Sequence, residues 1–383
     1  MTSPTRSPRL PRPVLLAWAV AVVGLVALTI AVVRYLGSGP AAGMAGHHHV
    51  AEAIYRAGSE PSGPLLGTAL FSSWHLDAVA CAVLILAAAA YLTGVALVPV
   101  RAPGTRWPLR RTAAFFAGLA VCAFATNGSI AVYDQVLFTA HMAGHLALVM
   151  LAPALLVCGR PLRLTVSAST PEHAARIERV AQGRIVSFLT APPIALAVYT
   201  GVIVGSHLTG LMDQVMRHTW AGQIEHVAYL AVGYQFFVLI LGDEPIRWRL
   251  SSPVRWLLLA VAMAVDTFTG IVLLQGTRVV AMQPDARVHV DALTDTRTGG
   301  AIMWFGGDAL MALAMSALVV GWLRAAEVST RDEPGWLEQA RRAAFDSHVG
   351  AAESTEAATT TIDEDEAARG AYNDWLARLN RSG

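Results

Sequence analysis

The sequence predicts an all-α integral membrane protein with eight transmembrane helices, and three observations predict it. Of 383 residues, 55% are hydrophobic and only 14% charged, where a soluble domain carries about 25% charged residues. Eight apolar stretches reach the length of about 20 residues that a helix needs to cross a hydrocarbon core. The arginines alternate between the ends of those stretches as the positive-inside rule requires.

The stretches fall at roughly 13–36, 74–100, 111–131, 138–158, 184–206, 220–241, 255–275 and 300–323. The first is longer than the apolar region of a signal peptide and reads as an anchor. With the N-terminus in the cytoplasm, the inner segments up to Arg324 hold sixteen arginines and the outer segments hold six: Arg34, Arg56, Arg217, Arg278, Arg287 and Arg297. All 28 basic residues are arginine. Both termini are therefore expected in the cytoplasm. The divisions are a cytoplasmic start and first helix (1–36), an outer histidine-containing loop (37–73), a seven-helix core (74–324) and a cytoplasmic tail (325–383). The tail includes "AAESTEAATTTIDEDE", small, polar and acidic, a composition expected to be disordered.

Histidine placement carries the functional reading. Ten of the twelve fall on the outer side; only His173 and His348 do not. "HMAGHLALVMLAPALLVCGRP" places His141 and His145 four residues apart at the outer mouth of the fourth helix, so both imidazoles project from one face. His226 in "GQIEHVAYL" follows, with His218 two turns before it and His75 in "SSWHLDAV" at similar depth. Converging neutral imidazoles make a metal site. His47, His48 and His49 are a loose outer tract, and Met142, Met212 and Met303 among other outer methionines are thioether candidates. Cys81, Cys122 and Cys158 form no paired motif. Asp266 and Asp308 lie inside helices seven and eight, where a carboxylate is either functional or bonded to a neighbouring helix. Pro153 and Pro192–Pro193 should kink helices four and five, and the first of these should widen the bundle below the histidine pair.

"YDQVLFTAHMAGHLALVMLAPALLVCGRPLRL" resembles the central signature of the CtaG family of cytochrome c oxidase assembly factors: a Tyr-Asp, a histidine pair, an apolar run with a proline, and Gly-x-Pro. "IEH" at 224–226 and "GGAIMWFGG" at 299–307 are similar to later motifs of that family, and the C-terminal "DEDEAARGAYNDWLARLN" resembles its actinobacterial members. The likeness covers about residues 74–324. Two positions depart from it: Gly222 stands where a second i, i+4 partner of His226 is expected, and Asp295–Arg297 reads "DTR" in place of Asp-Gln.

The resemblance implies a non-enzymatic factor of the bacterial plasma membrane that gets copper into the oxidase during assembly. Its implied partners are oxidase subunits, other copper chaperones and the lipid bilayer, with no nucleic acid. His141, His145, His226, His75 and His218 are the candidate copper ligands. A haem-binding electron carrier, with histidines as axial ligands, and a membrane copper or cation transporter stand as alternatives.

Overall fold

The apolar stretches fold as helices because a backbone in lipid must satisfy its hydrogen bonds within the segment. In the computed structural model, residues 69–134, 136–212, 219–280 and 290–332 are described, with Leu65, Gly67, Gly370, Asn373, Ala377 and Arg381 as isolated positions. Among the described residues there is helix and no strand. The chain divides into two units, Met1–Met315 and Ser316–Gly383, and the helix packing below belongs to the first.

Helix α1 (Ala78–Arg101) starts at Asp77, whose carboxylate accepts the Val79 and Ala80 amides, the ordinary N-cap arrangement. Helix α2 (Leu109–Asn127) stops at Gly128 and resumes as α3 (Ser129–Tyr133). The central signature then forms one interrupted rod: α4 (Phe138–Leu146), a π-helical turn (Ala147–Leu151) and α5 (Ala152–Cys158). The cause of the π turn is Pro153, which has no N–H to give to the Val149 carbonyl one turn back. Gly233 of α10 (Thr219–Ile240) sits on that spot. A Cβ there would run into the Val149 oxygen and the Pro153 ring. Instead of widening the bundle, the proline segment is where α10 closes in.

Two-thirds of the apolar part of Phe138–Ala168, the stretch that holds this rod, is buried (67%), more than in any other spanning helix among the described residues. It is the centre of the bundle, touching α2, α10 and α12. Its far end turns at Gly159 and Arg160. Arg160 is the one described non-glycine residue at positive φ (52°). The following Pro161 disfavours the right-handed helical region for it, and Gly159 packs so tightly on Phe115 that a Cβ would lie 2.7 Å from that side chain. Short helices α6 (Pro161–Ala168) and α7 (Pro171–Ala181) follow.

The expected 184–206 span is interrupted rather than kinked. Helix α8 (Arg184–Leu189) ends, and Pro192 and Pro193 open a new helix, α9 (Pro192–Leu208). Proline is at home in the first turn, where no N–H is needed. Helices α11 (Ser252–Gln275), α12 (Ala292–Ala301), a second π turn (Ile302–Gly306) and α13 (Gly307–Asp332) follow. Among the described residues, six helical stretches are long and apolar enough to cross a membrane, and α9 is a shorter apolar helix. The expected first helix, the His47–His49 tract and most of the tail lie outside the described residues.

Glycines bring α12 against its neighbours, as small residues do in membrane bundles. A Cβ on Gly299 would meet the Phe138 ring at 2.5 Å, and one on Gly300 would meet the Leu274 amide at 2.6 Å. The intramembrane carboxylates bond across helices. Asp266 of α11 accepts the Tyr199 hydroxyl of α9 at 3.0 Å, and Asp308 accepts Thr267 at 2.7 Å. At the Arg160 end, buried Glu244 accepts the Leu162 and Arg163 amides at 3.3 and 2.7 Å. Burial nevertheless pushes its carboxyl above the usual range.

Candidate metal centre

The first turn of any helix leaves amides without intrahelical acceptors. Helix α4 meets this with a carboxylate from another helix. Asp295 of α12 accepts the Phe138 amide at 2.6 Å and the Thr139 amide at 3.2 Å. The Thr139 hydroxyl donates to it as well. The Gly299 contact lets α12 lie close enough for that reach. Asp295 therefore fixes where the histidine pair begins.

His141 and His145 do share a face, and both are 2% exposed. His141 Nδ1 lies 2.8 Å from Asp134 Oδ1. A carboxylate only accepts, so Nδ1 holds the proton and donates it. In the neutral ring that leaves Nε2 with a free lone pair. Glu225 Oε2 approaches it to 3.8 Å, and Glu225 is itself held by the Tyr229 hydroxyl at 2.6 Å. A carboxylate that orients an imidazole from behind is the usual support of a metal-binding histidine.

His145 meets His207, at the end of α9, with ring centroids 4.6 Å apart and nearly perpendicular. Tyr229 of α10 packs against His145 at 4.3 Å and lies nearly parallel to His207 at 6.5 Å. His207 Nδ1 donates to the Ile203 carbonyl at 2.8 Å, again leaving Nε2 as the lone-pair nitrogen. The result is unusual for a buried cluster. Among the described residues, His141 Nε2, both nitrogens of His145 and His207 Nε2 are buried without a hydrogen-bond partner. Buried polar atoms are nearly always paired, so four such atoms from three helix positions need a partner.

The remaining sequence candidates are placed differently. His226 is 22% exposed, with Nε2 3.8 Å from Asp134 Oδ2, so Asp134 stands between it and His141. His75 lies at the entry to α1, its amide donating to the Asn127 carbonyl at 2.8 Å. His218 lies outside the described residues. His207 was not among the sequence candidates; its signal was only a histidine at the outer end of an apolar helix. Among the described residues no three His, Cys, Asp or Glu side chains already stand as a ligand set. The three imidazoles would have to turn toward one another to hold an ion together.

A bundle of apolar helices around a buried histidine and carboxylate cluster defines a multi-spanning membrane protein with a polar centre at one end. Comparison with known sequences places it among such proteins. The sequence model of the cytochrome c oxidase caa3 assembly factor family, Caa3_CtaG, matches residues 89–325. The chain belongs to that family. It is also similar to an uncharacterized protein of Mycobacterium leprae, 27% identical over 322 residues, covering 81% of this chain and 45% of the relative. Uncharacterized proteins of Mycobacterium bovis and Mycobacterium tuberculosis are each 28% identical over 275 residues, 69% of this chain and 41% of theirs. The chain thus spans under half the length of these curated relatives. No solved structure matches it.

Proposed function

We propose that this protein assists cytochrome c oxidase assembly by holding copper at the outer mouth of its bundle for delivery to the oxidase copper centres. The observation that carries this reading is the cluster of three buried imidazoles, His141, His145 and His207, whose lone-pair nitrogens lack hydrogen-bond partners. Neutral imidazole is a good copper ligand, and it brings no charge into an apolar bundle. Copper here is cargo. Three nitrogen ligands without thiolates make a site from which the ion can leave. His226, part exposed and across Asp134 from His141, stands where an arriving or departing ion would pass. His75 and His218 complete the candidate set on the same outer side.

The family match supports the assembly role, and the arginine distribution supports the outer placement of the histidines. A second reading, passage of copper through the bundle, is favoured by one observation. Tyr199 and Asp266 form a fully buried polar pair two turns along α9 from His207.

The test measures copper bound per purified protein together with oxidase activity in the same strains. His141→Ala/His145→Ala should insert normally, lose most bound copper and leave oxidase deficient in copper, with partial recovery on adding copper. His207→Ala should lose copper as well. Unchanged copper in both variants would sink the proposal, and lost activity with unchanged copper would make this surface a docking site. Uptake of labelled copper by vesicles containing only this protein would favour the second reading.

A further inference from the structure

The end of the bundle away from the histidines carries a different chemistry. Arg110 and Arg111 open α2, and Arg160 and Arg163 open α6. Arg111 feels the fields of Arg160, Arg110 and Arg163, with Asp243 opposing them. Its guanidinium stacks 4.7 Å from the centre of the Trp107 ring. Asp243 answers Arg160 at 2.9 Å and Arg163 at 3.1 Å. It also reaches Arg249 at 3.9 Å. Among the described residues no carboxylate pairs with Arg110 or Arg111. Glu244 accepts the Leu162 and Arg163 amides beneath the patch, and four arginines against these two carboxylates, Asp243 and Glu244, leave it positive.

Directly beside it lies an open apolar groove of about 230 Å³ between α1, α2 and α6. Ala87, Ala90, Tyr91 and Gly94 of α1 line one side, with Phe115 of α2 and Leu164 of α6 lining the rest. The groove and the patch are joined by short links. Phe115 is one turn along α2 from Arg111 and stacks on Tyr91 at 4.0 Å. Tyr91 accepts the Trp107 indole N–H at 2.9 Å and donates to the Gly159 carbonyl at 2.8 Å. Arg163 is the neighbour of Leu164, which lines the groove. An apolar slot opening sideways into the bilayer, with unpaired guanidinium groups at its mouth, fits a molecule with a hydrocarbon chain and an anionic head.

We propose that this groove is a binding site for an anionic phospholipid, with an acyl chain along Ala87, Ala90 and Gly94 and the phosphate on Arg110 and Arg111. Basic pockets between helices at the inner leaflet take such headgroups, and arginine grips phosphate through paired N–H groups. The site is independent of the histidine cluster. The two lie at opposite ends of the α4–α5 rod, roughly 28 Å apart at 1.5 Å per residue.

Native mass spectrometry of the purified full chain, with phosphatidylglycerol and phosphatidylcholine added in turn, tests this. The wild type should retain phosphatidylglycerol selectively. Arg110→Gln/Arg111→Gln should weaken retention by about fivefold for each arginine removed. Ala90→Phe, which fills the groove from a lipid-facing position, should weaken it without any change of charge. Arg176→Gln/Arg179→Gln, on the exposed face of α7, should leave retention unchanged, which also reports that charge loss alone is not the cause. The same ratio for both lipids would overturn the proposal. So would displacement by inorganic phosphate alone, full retention in Ala90→Phe, or failure of the wild type to bind because another segment of the chain fills the groove.

Discussion

Asp134 is the residue on which the histidine site turns. One oxygen fixes the tautomer of His141, and the other faces His226 at 3.8 Å. Removing its charge should leave every candidate ligand in place and still disturb the site. Asp134→Asn is expected to lower copper affinity by roughly 10- to 100-fold, the usual cost of losing a carboxylate behind a metal-binding histidine. Titration of the purified variant against a competing chelator measures this, with helix content by circular dichroism as the control for folding. Affinity equal to the wild type would separate Asp134 from metal binding. The sequence displayed this aspartate only as part of a Tyr-Asp signature seven residues before His141. Its bond to that histidine depends on the turn between α3 and α4, which no periodicity encodes.

At the level of elements, the position of α4 depends on a helix far away in sequence. Asp295 caps it from α12, and Gly299 and Gly300 permit the approach. Asp295→Ala should strand two amides in an apolar surrounding. A lost cap costs about 1 kcal/mol, and a buried unsatisfied donor 1–3 kcal/mol, so the loss should be about 2 kcal/mol. Reversible denaturation in detergent reads it directly. Asp295→Asn, which keeps an acceptor oxygen, should recover part of the loss. No loss in Asp295→Ala would mean that water replaces the carboxylate at this helix end. In the sequence Asp295 stood out only as a departure from a family pattern. The expected span at 184–206 gives the converse lesson. Its apolar run was legible, but Pro192–Pro193 begins α9 instead of bending one helix, because consecutive prolines suit a first turn better than an interior.

For the whole molecule, the arginine bias predicts that a reporter fused after Arg324 lies in the cytoplasm and one inserted near Ser62 lies outside. Alkaline phosphatase and fluorescent-protein fusions at both sites test it. Reports from the same side would mean that the number of spans between them is miscounted, and the outer placement of the histidines would go with it. The sequence by itself determined the helical membrane class, the approximate bounds of the six spanning helices among the described residues and the His141–His145 pair. Those follow from hydrophobic length and from the four-residue turn of a helix, both local properties of the chain. Only the tertiary structure decided that His207 and Tyr229 join His145, that Asp295 caps α4, and that α10 closes on the proline segment through Gly233. Each of these is a meeting of helices distant in sequence. In lipid such meetings are set by close packing and by the polar groups left needing partners, and neither is written in the period of a single helix.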